Sequence, residues 1–360
     1  MYLSYFFKLS KINVGINGIG RIGRHLLRLF AYDDDINIKA INDINPDLKN
    51  WIYTINYDSI YGKNDLPFKL ENGKLKFGSN YIDTFHQKNI NEVPWENCEV
   101  DYVIDSSGVY KNVLLSREIL HNAKVKKIII THSPQEVDFT MVLGVNEEQF
   151  EPSSHNLISS SICDATAIAP IAKIIHDTYN LDGGSITTLH PWLSYQNLMD
   201  GPSTSVSYPG NIYHHYALGR SAIGNLIPKP TSALEAVIKV IPELDINSFN
   251  ALSFRTPTEI VGSADITFIT KRETSNDEIL NLLERFQLQQ KFPIIKLSND
   301  PLVSKDYLKE NHSLVVDTRW LNVVNKNLIK FVLWYDNEYG YSCNVLRQLK
   351  YIHKKVQTIK

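Results

Sequence analysis

"KINVGINGIGRIGRHLLRLFAYDDDINIKAIND", residues 11–43, is the stretch that decides the fold of the first half of the chain. Within it, "INVGI" (12–16) is a short run rich in β-branched residues, and "RIGRHLLRLF" (21–30) carries apolar residues at helical spacing. "INIKAIN" (36–42) is a second β-rich run. This order predicts a strand, a helix and a second strand that lies parallel to the first in the same sheet.

Three glycines, Gly18, Gly20 and Gly23, form the pattern G-x-G-x-x-G between the first strand and the helix. The first glycine permits a tight turn, the second lets the backbone approach a pyrophosphate, and the third lets helix and strand pack closely. Asp43 follows Gly23 by twenty residues, where a carboxylate accepts hydrogen bonds from the adenine ribose of a dinucleotide. Because this carboxylate would repel a 2′-phosphate, the sequence predicts NAD rather than NADP as cofactor.

The rest of the first half continues the same pattern. "VDYVIDSSGVY" (100–110) and "KKIIIT" (126–131) predict buried strands of the same parallel sheet, and "LLSREILHNA" (114–123) predicts the helix between them. We therefore predict an α/β fold with a Rossmann-type, doubly wound NAD-binding domain over residues 1–162, completed by a C-terminal amphipathic helix at 341–360.

The pattern changes after residue 162 to longer strands with an α+β texture, such as "GSITTLHPW" (184–192) and "NLIKFVLWYD" (327–336). We predict an α+β catalytic domain over residues 163–340, with a mainly antiparallel sheet. A loop rich in Ser, Pro, Gly and Tyr occupies residues 200–221.

Composition narrows the classes of function. The chain has 360 residues, enough for two domains, and its net charge of −2 lacks the strong positive charge of a nucleic-acid binder. Its three cysteines are widely spaced and odd in number, which favours a reducing compartment over a disulfide framework. The opening residues 1–11 lack a basic start and a small-residue cleavage site, and no apolar run approaches the ~20 residues of a membrane span. We expect a cytoplasmic protein without nucleic-acid or membrane partners.

One cysteine stands where a thiol usually has a chemical role. In "SSSICDATAIAP" (159–170), Cys163 lies between small polar residues and a predicted helix start, with the acidic Asp164 directly after it. The residue is either a nucleophile or a buried structural sulfur. The adjacent His214 and His215 have no cysteine or acidic pattern around them, so no metal site is expected.

The chain resembles the phosphorylating glyceraldehyde-3-phosphate dehydrogenase family over nearly its whole length. Each similar stretch is weakly specific alone, but together their order and spacing are specific. They are "VGINGIGRIGR" (14–24), "NYDSIYGK" (56–63), "ENGKLKF" (71–77), "SSGVY" (106–110), "GVNEEQF" (144–150), "DGPS" (200–203), "KVIPEL" (239–244), "FRTPT" (254–258) and "WYDNEYGYS" (334–342).

The resemblance implies a catalytic pair and a set of cofactor contacts. Cys163 matches the family's catalytic thiol and His190 its base, and their separation of twenty-seven residues is the one the family uses. A nearby imidazole and a helix N-terminus both favour the thiolate that attacks an aldehyde. By the structural alternative, the two are a buried sulfur and a core histidine. Asn337 matches the ligand of the nicotinamide carboxamide. The other implied cofactor contacts are Asn17, Arg21, Ile22, Ser107 and Tyr341.

The phosphate-binding positions depart from the family pattern. Hydroxyl residues flank the family's thiol and an asparagine follows it, but Ile162, Asp164 and Thr166 stand at these places here. Two further threonine-like positions have become Leu193 and Tyr195. Two substrate-site residues remain, Arg255 and Thr231, although Ser232 replaces the glycine neighbour of the latter.

Asp164 has two possible roles. If its carboxylate faces the site, it would repel a phosphate by about 4 kcal/mol at contact distance and an effective dielectric near 20. If it is the N-cap of the predicted helix, it would instead face backbone N–H groups.

Two functions therefore remain in competition. The first is NAD-dependent oxidation of an aldehyde, with or without a phosphate group, through a thioester on Cys163. The second is an NAD-binding, catalytically impaired relative that acts as an interaction or regulatory protein. The family's tetramers place the loop at 200–221 near their centre, and this chain has a longer loop, so the resemblance predicts a homotetramer.

Overall fold

Two large β-sheets organise the chain, one in each half of the sequence. The structure is a computed structural model and describes residues 10–122, 124–212 and 214–358. Residues 1–9 of the opening stretch and residues 359–360 of the predicted C-terminal helix lie outside the described residues.

The first half contains eleven strands and three helices among its described residues. The strands are β1 (Ile12–Asn17), β2 (Ile36–Asn42), β3 (Tyr57–Asp58), β4 (Gly62–Lys63), β5 (Lys69–Glu71), β6 (Lys74–Phe77), β7 (Asn80–Phe85), β8 (Tyr102–Asp105), β9 (Lys127–Ile130), β10 (Phe139–Thr140) and β11 (Leu157–Ser159). The helices are α1 (Arg21–Ala31), α2 (Leu48–Asn56) and α3 (Tyr110–Asn122).

Nine of these strands form one sheet in the order β10-β11-β9-β8-β1-β2-β7-β6-β5. The strands from β10 to β7 are parallel to their neighbours, and the last two pairings are antiparallel. The strand order reverses at β1, which pairs with β2 on one side and with β8 on the other. A crevice at such a reversal is where doubly wound sheets bind ligands. The prediction of a Rossmann-type sheet is confirmed.

Among its described residues, the second half contains a mixed sheet and four helices. Its strands are β12 (Leu181–Pro191), β13 (Ile227–Lys229), β14 (Phe249–Thr256), β15 (Gly262–Thr270), β16 (Ile295–Ser298), β17 (Leu314–Asp317), β18 (Asn322–Val324) and β19 (Leu328–Tyr335). Its helices are α4 (Cys163–Tyr179), α5 (Ala233–Val240), α6 (Asn276–Gln289) and α7 (Tyr339–Gln357).

Most pairings in this sheet are antiparallel, as expected for the predicted α+β half. The exceptions are the parallel pairs β12–β14 and β16–β17. The strand order is β13-β14-β12-β15-β19-β17-β16, with β18 attached to β19. The central strand β12 ends at His190 and Pro191, so the sheet carries the predicted base to its edge.

Two helices connect the halves around the site. Helix α4 begins at Cys163, and most of its side chains are buried, because alanines and isoleucines surround its axis. Helix α7 returns to the first half and packs against α1. The domain boundary at 162/163 stays a prediction. Among the described residues, no helix combines the length and the apolar character that crossing a bilayer requires.

Candidate active site

The glycine loop joins β1 to α1, and its three glycines have different surroundings. Gly18 has φ +84°, a left-handed conformation that favours glycine. A Cβ at Gly23 would lie 2.0 Å from the carbonyl oxygen of Gly18, so α1 approaches the loop this closely only without a side chain there. A Cβ at Gly20 would meet no atom within 4 Å. The loop therefore presents an open backbone surface at a helix N-terminus, which fits a pyrophosphate.

Asp43 follows β2, and its carboxylate lies against the same loop. Its Oδ2 accepts a hydrogen bond from the backbone N–H of Ile19 at 2.8 Å, and its Oδ1 accepts one from Asn45 at 2.9 Å. The side chain is partly exposed. Asp43 therefore stabilises the glycine loop through its bond to Ile19 and remains accessible to a ribose.

Asn17 is buried among the strand ends rather than turned to the loop surface. Its amide nitrogen donates to Asp105 at 2.9 Å, and its amide oxygen accepts from Asn42 at 2.8 Å. These bonds tie together the ends of β1, β2 and β8, so the Asn17 side chain supports the loop from within the sheet.

Arg21 and Ile22 begin α1, so their backbone N–H groups have no partner within the helix. The Arg21 guanidinium is held by two carboxylates, at 2.5 Å from Asp58 and 2.5 Å from Glu338. Both carboxylates are at most one-tenth exposed. Glu338 directly precedes α7, so the ion pair between Arg21 and Glu338 joins the glycine loop to the C-terminal helix.

Cys163 is the first residue of α4, and Ile162 occupies the N-cap position without a side-chain cap. Asp164 is the second helical residue, so its interpretation as the N-cap is wrong. Its carboxylate is buried and accepts a hydrogen bond from the hydroxyl of Tyr335 at 2.7 Å. The Cys163 Sγ lies 3.6 Å from Asp164 Oδ1. A residue on β19, far away in the sequence, thus turns Asp164 toward the thiol.

The thiol also faces the predicted base. Cys163 Sγ lies 3.6 Å from His190 Nε2. His190 Nδ1 is 2.7 Å from the carbonyl oxygen of Pro191. Because a carbonyl only accepts, the Nδ1–H donates to it, and Nε2 keeps its lone pair toward the sulfur. The structure therefore brings the two predicted residues together in a geometry that allows proton transfer.

The electrostatics keep this pair neutral. Burial and the Asp164 carboxylate raise the pKa of the Cys163 thiol well above its ordinary value. Burial and the positive charge of Arg255 lower the pKa of His190 to about 4. The charge beside the thiol therefore opposes the thiolate that the helix N-terminus favours.

Asn337 and Tyr341 lie near the thiol from the start of α7. The amide oxygen of Asn337 accepts from the backbone N–H of Val261 at 3.1 Å, which orients its amide. The Tyr341 hydroxyl donates to the carbonyl of Ser161 at 2.9 Å and lies 2.7 Å from the Ser160 hydroxyl. Tyr341 thus holds the segment that leads into Cys163.

The predicted substrate-site residues lie on β14, where Arg255 is the strand partner of His190, and just before α5. The Thr231 hydroxyl accepts a hydrogen bond from the backbone N–H of Ala233 at the start of α5. Arg255 is 7% exposed, and its Nε has no hydrogen-bond partner among the described residues. Sequence reasoning missed Lys229, whose pKa burial and Arg255 lower to about 8. Its only sequence signal is its position two residues before Thr231.

A cavity of about 370 Å³ connects the glycine loop with the thiol. Its walls include residues predicted to contact cofactor or substrate and several that replace the family's hydroxyl groups. Predicted residues in its wall are Gly20, Arg21, Ile22, Ser107, Cys163, His190, Asn337 and Tyr341, and they are joined by Ile162, Leu193, Ser194, Tyr195 and Val206.

Comparison with known proteins identifies both halves. Residues 12–113 match the family model for the NAD binding domain of glyceraldehyde 3-phosphate dehydrogenase, and residues 162–337 match the model for its C-terminal domain. The chain is similar to a glyceraldehyde-3-phosphate dehydrogenase of Ogataea parapolymorpha, with 36% identity over 95% of this chain and 98% of the relative. It is also similar to that of Schistosoma mansoni, with 33% identity over 96% of this chain and 99% of the relative.

Proposed function

Because the chain belongs to the glyceraldehyde-3-phosphate dehydrogenase family, we propose that it oxidises an aldehyde with NAD through a thioester on Cys163. The observation that carries this proposal is the 3.6 Å distance between Cys163 Sγ and His190 Nε2, beside a cavity that reaches the glycine loop.

His190 moves the protons of the reaction. As the sulfur attacks the aldehyde carbon, Nε2 takes the thiol proton and passes it to the carbonyl oxygen, which gives a neutral hemithioacetal. When the hydride leaves, Nε2 takes that hydroxyl proton back, and the acyl group remains on sulfur as a thioester. The Nδ1–H bond to Pro191 holds the imidazole in the tautomer that both transfers require.

NAD would supply the hydride acceptor, and residues of both halves of the chain would hold the two ends of the cofactor. The glycine loop and the first turn of α1 suit the pyrophosphate, and Asp43 suits the adenine ribose. The oriented amide of Asn337 suits the nicotinamide carboxamide. Ile162, Leu193 and Val206 give the cavity an apolar wall near the thiol, which limits water there.

Changing Asp43 to alanine is expected to weaken NAD binding by roughly 1–3 kcal/mol, the scale of a charge-assisted hydrogen bond. Discrimination against NADP should fall as well, because the repulsion of the 2′-phosphate is lost. Calorimetric titration with both cofactors measures this, and Asp34→Ala is the matched control because Asp34 is exposed before β2. Equal or tighter NADP binding by the unchanged protein would contradict the role of Asp43.

Arg255 and Lys229 support an anionic aldehyde as substrate. Arg255 is buried and Lys229 is half-buried, and burial together with the charge of Arg255 lowers the pKa of Lys229 to about 8. A buried cation without a partner costs several kcal/mol, so an anion placed between the two would relieve this cost. A phosphorylated aldehyde carries such a group, and Lys229 would replace the donor lost at Leu193.

The acyl acceptor is expected to differ from that of the family. Asp164 places an anion 3.6 Å from the sulfur, so inorganic phosphate should bind poorly near the thioester, and water or another acceptor would release the acyl group. Asp164→Thr removes one repulsion and adds one donor, and we expect phosphate to bind roughly 1–3 kcal/mol more tightly.

The measurement is the rate of NADH formation against phosphate concentration in both proteins. A flat response in the unchanged protein and a saturating response in Asp164→Thr is expected. If phosphate saturates the unchanged protein as tightly as the variant, the acceptor is phosphate and Asp164 does not exclude it.

A panel of phosphorylated and plain aldehydes, each with and without inorganic phosphate, tests the activity itself by NADH formation. The competing function is an NAD-binding relative that has lost catalysis, and the raised pKa of the Cys163 thiol favours it. NAD binding without NADH formation from any member of the panel would select that function.

We expect a homotetramer in solution. Large apolar side chains are exposed in and beside the loop at 200–221, among them Leu198 (71%), Met199 (82%) and Tyr216 (78%), and such a patch suits an interface. Light scattering at micromolar concentration measures the mass, and a monomer would contradict the prediction. The three free thiols support a cytoplasmic location.

A further inference from the structure

Three side chains of different chemistry converge at the start of α4. One ligand atom each from Cys163, Asp164 and His190 lies within 4.8 Å of the other two. Cys163 Sγ is 3.6 Å from His190 Nε2 and 3.6 Å from Asp164 Oδ1. A tetrahedral zinc ion with bonds of about 2.3 Å to sulfur and about 2.0–2.2 Å to nitrogen and oxygen separates the sulfur from each of the others by about 3.5–3.7 Å. The two observed separations from the sulfur match this requirement.

The outer partners of these ligands also suit a metal. His190 donates its Nδ1–H to the carbonyl of Pro191 at 2.7 Å, so Nε2 is directed at the sulfur as an acceptor. Asp164 Oδ1 accepts from the hydroxyl of Tyr335 at 2.7 Å, which fixes the carboxylate beside the thiol. Metal-bound imidazoles and carboxylates commonly have such partners, which orient the ligand atoms in advance.

We propose that Cys163, Asp164 and His190 form a binding site for Zn²⁺, with the fourth position open to water from the cavity. Three protein ligands and one water make a common zinc arrangement, and a thiolate with an imidazole selects zinc over hard cations such as Mg²⁺. Binding replaces the thiol proton by the metal and releases that proton to solvent.

Asp164 makes the site particular to this chain. Cysteine and histidine alone provide two ligands, whereas the carboxylate at the second position of α4 provides the third. The thiolate and carboxylate together carry two negative charges, which offset the charge of the metal. This limits the repulsion from the positive charges of Arg255 and Lys229, which act on the same groups.

Occupancy has a direct chemical consequence. Zinc withdraws charge from the bound sulfur and so lowers its nucleophilicity toward an aldehyde, and an imidazole bound through Nε2 cannot accept a proton. The metal would therefore hold the thiol in a reversible inactive state. The sequence did not predict the site, because twenty-seven residues separate the cysteine ligand from the histidine ligand.

The test is direct metal binding by the full chain. Zinc is titrated in competition with a chromophoric chelator, and cobalt is used as a spectroscopic probe, since a thiolate ligand gives a sulfur-to-cobalt charge-transfer band. We expect one zinc per chain, loss of the band in Cys163→Ser, and at least about 10–100-fold weaker zinc binding in Asp164→Asn and His190→Ala, since even outer-partner changes reach this range. Cys343→Ser is the control, because Cys343 is a buried cysteine of α7 that is not one of the three ligands.

A second measurement needs no variant. Zinc should protect Cys163 of the unchanged protein from alkylation, as mapped by mass spectrometry, and a chelator should reverse the protection. NAD binding by each variant checks that it has folded. Zinc binding that survives in Asp164→Asn at full affinity, or that disappears in Cys343→Ser, would overturn the proposal. These readouts do not depend on catalysis, so a failure to form NADH would leave them interpretable.

Discussion

Changing Cys163 to serine is expected to lower the rate of NADH formation by at least about 10⁴-fold, the scale of losing a catalytic nucleophile. The serine hydroxyl is far less acidic than a thiol, and His190, whose pKa burial and Arg255 lower to about 4, is a weak base for it, although the two side chains have nearly the same shape. The cavity wall is otherwise unchanged, and NAD affinity should remain within a factor of a few.

The measurement is the initial rate of NADH formation with the best aldehyde of the panel. Cys98→Ser and Cys343→Ser are matched controls, because both residues are buried and neither is part of the described cavity wall. Retention of more than one per cent of the rate in Cys163→Ser would remove the thioester from the mechanism.

Changing Arg21 to alanine should cost about 3–5 kcal/mol in the free energy of unfolding. The guanidinium is one-quarter exposed and bridges Asp58 and Glu338, whose side chains are 6% and 10% exposed. Without it, two neighbouring buried carboxylates have lost their common partner and repel each other. Denaturation by urea, followed by fluorescence, measures the change.

The control for this variant is Arg220→Ala. Arg220 pairs with Asp200 at 2.7 Å, but both side chains are more than half exposed, so we expect a loss below about 1 kcal/mol. If both variants lose the same small amount, the bridge between the glycine loop and α7 contributes little to stability.

The ion pair between Arg21 and Asp58 should also make the stability of the protein depend on pH in the acid range. Although burial opposes ionisation, two backbone hydrogen bonds and the charge of Arg21 lower the pKa of Asp58 to about 2. A depressed folded-state pKa stabilises the protein above the unfolded value near 3.9, and this stabilisation is lost as the pH falls toward 2. The difference in unfolding free energy between the unchanged protein and Arg21→Ala should shrink over this range.

The local sequence was sufficient to predict the first strands and helix of the NAD-binding half. Residues 11–43 contain their own strand, turn and helix signals, and the structure has β1, α1 and β2 within a residue or two of them. Such signals act between near neighbours, because period, glycine conformation and backbone spacing are properties of a short segment. The resemblance then paired Cys163 with His190 from spacing alone, and the two atoms do meet.

The orientation of the charged side chains around that site depends on contacts between residues that are distant in the sequence. The sequence left two roles open for Asp164, a helix cap and a carboxylate that faces the site. The hydroxyl of Tyr335, 171 residues away, donates to this carboxylate, which lies beside the thiol. Arg21 was predicted as a cofactor contact and lies in the cavity wall, and only the structure shows that Asp58 and Glu338, 37 and 317 residues away, hold its guanidinium. Which side chains meet across two sheets depends on strand register and helix packing, and no short segment contains that information. The charge around Cys163, and with it the reactivity of the thiol, therefore exists only in the folded chain.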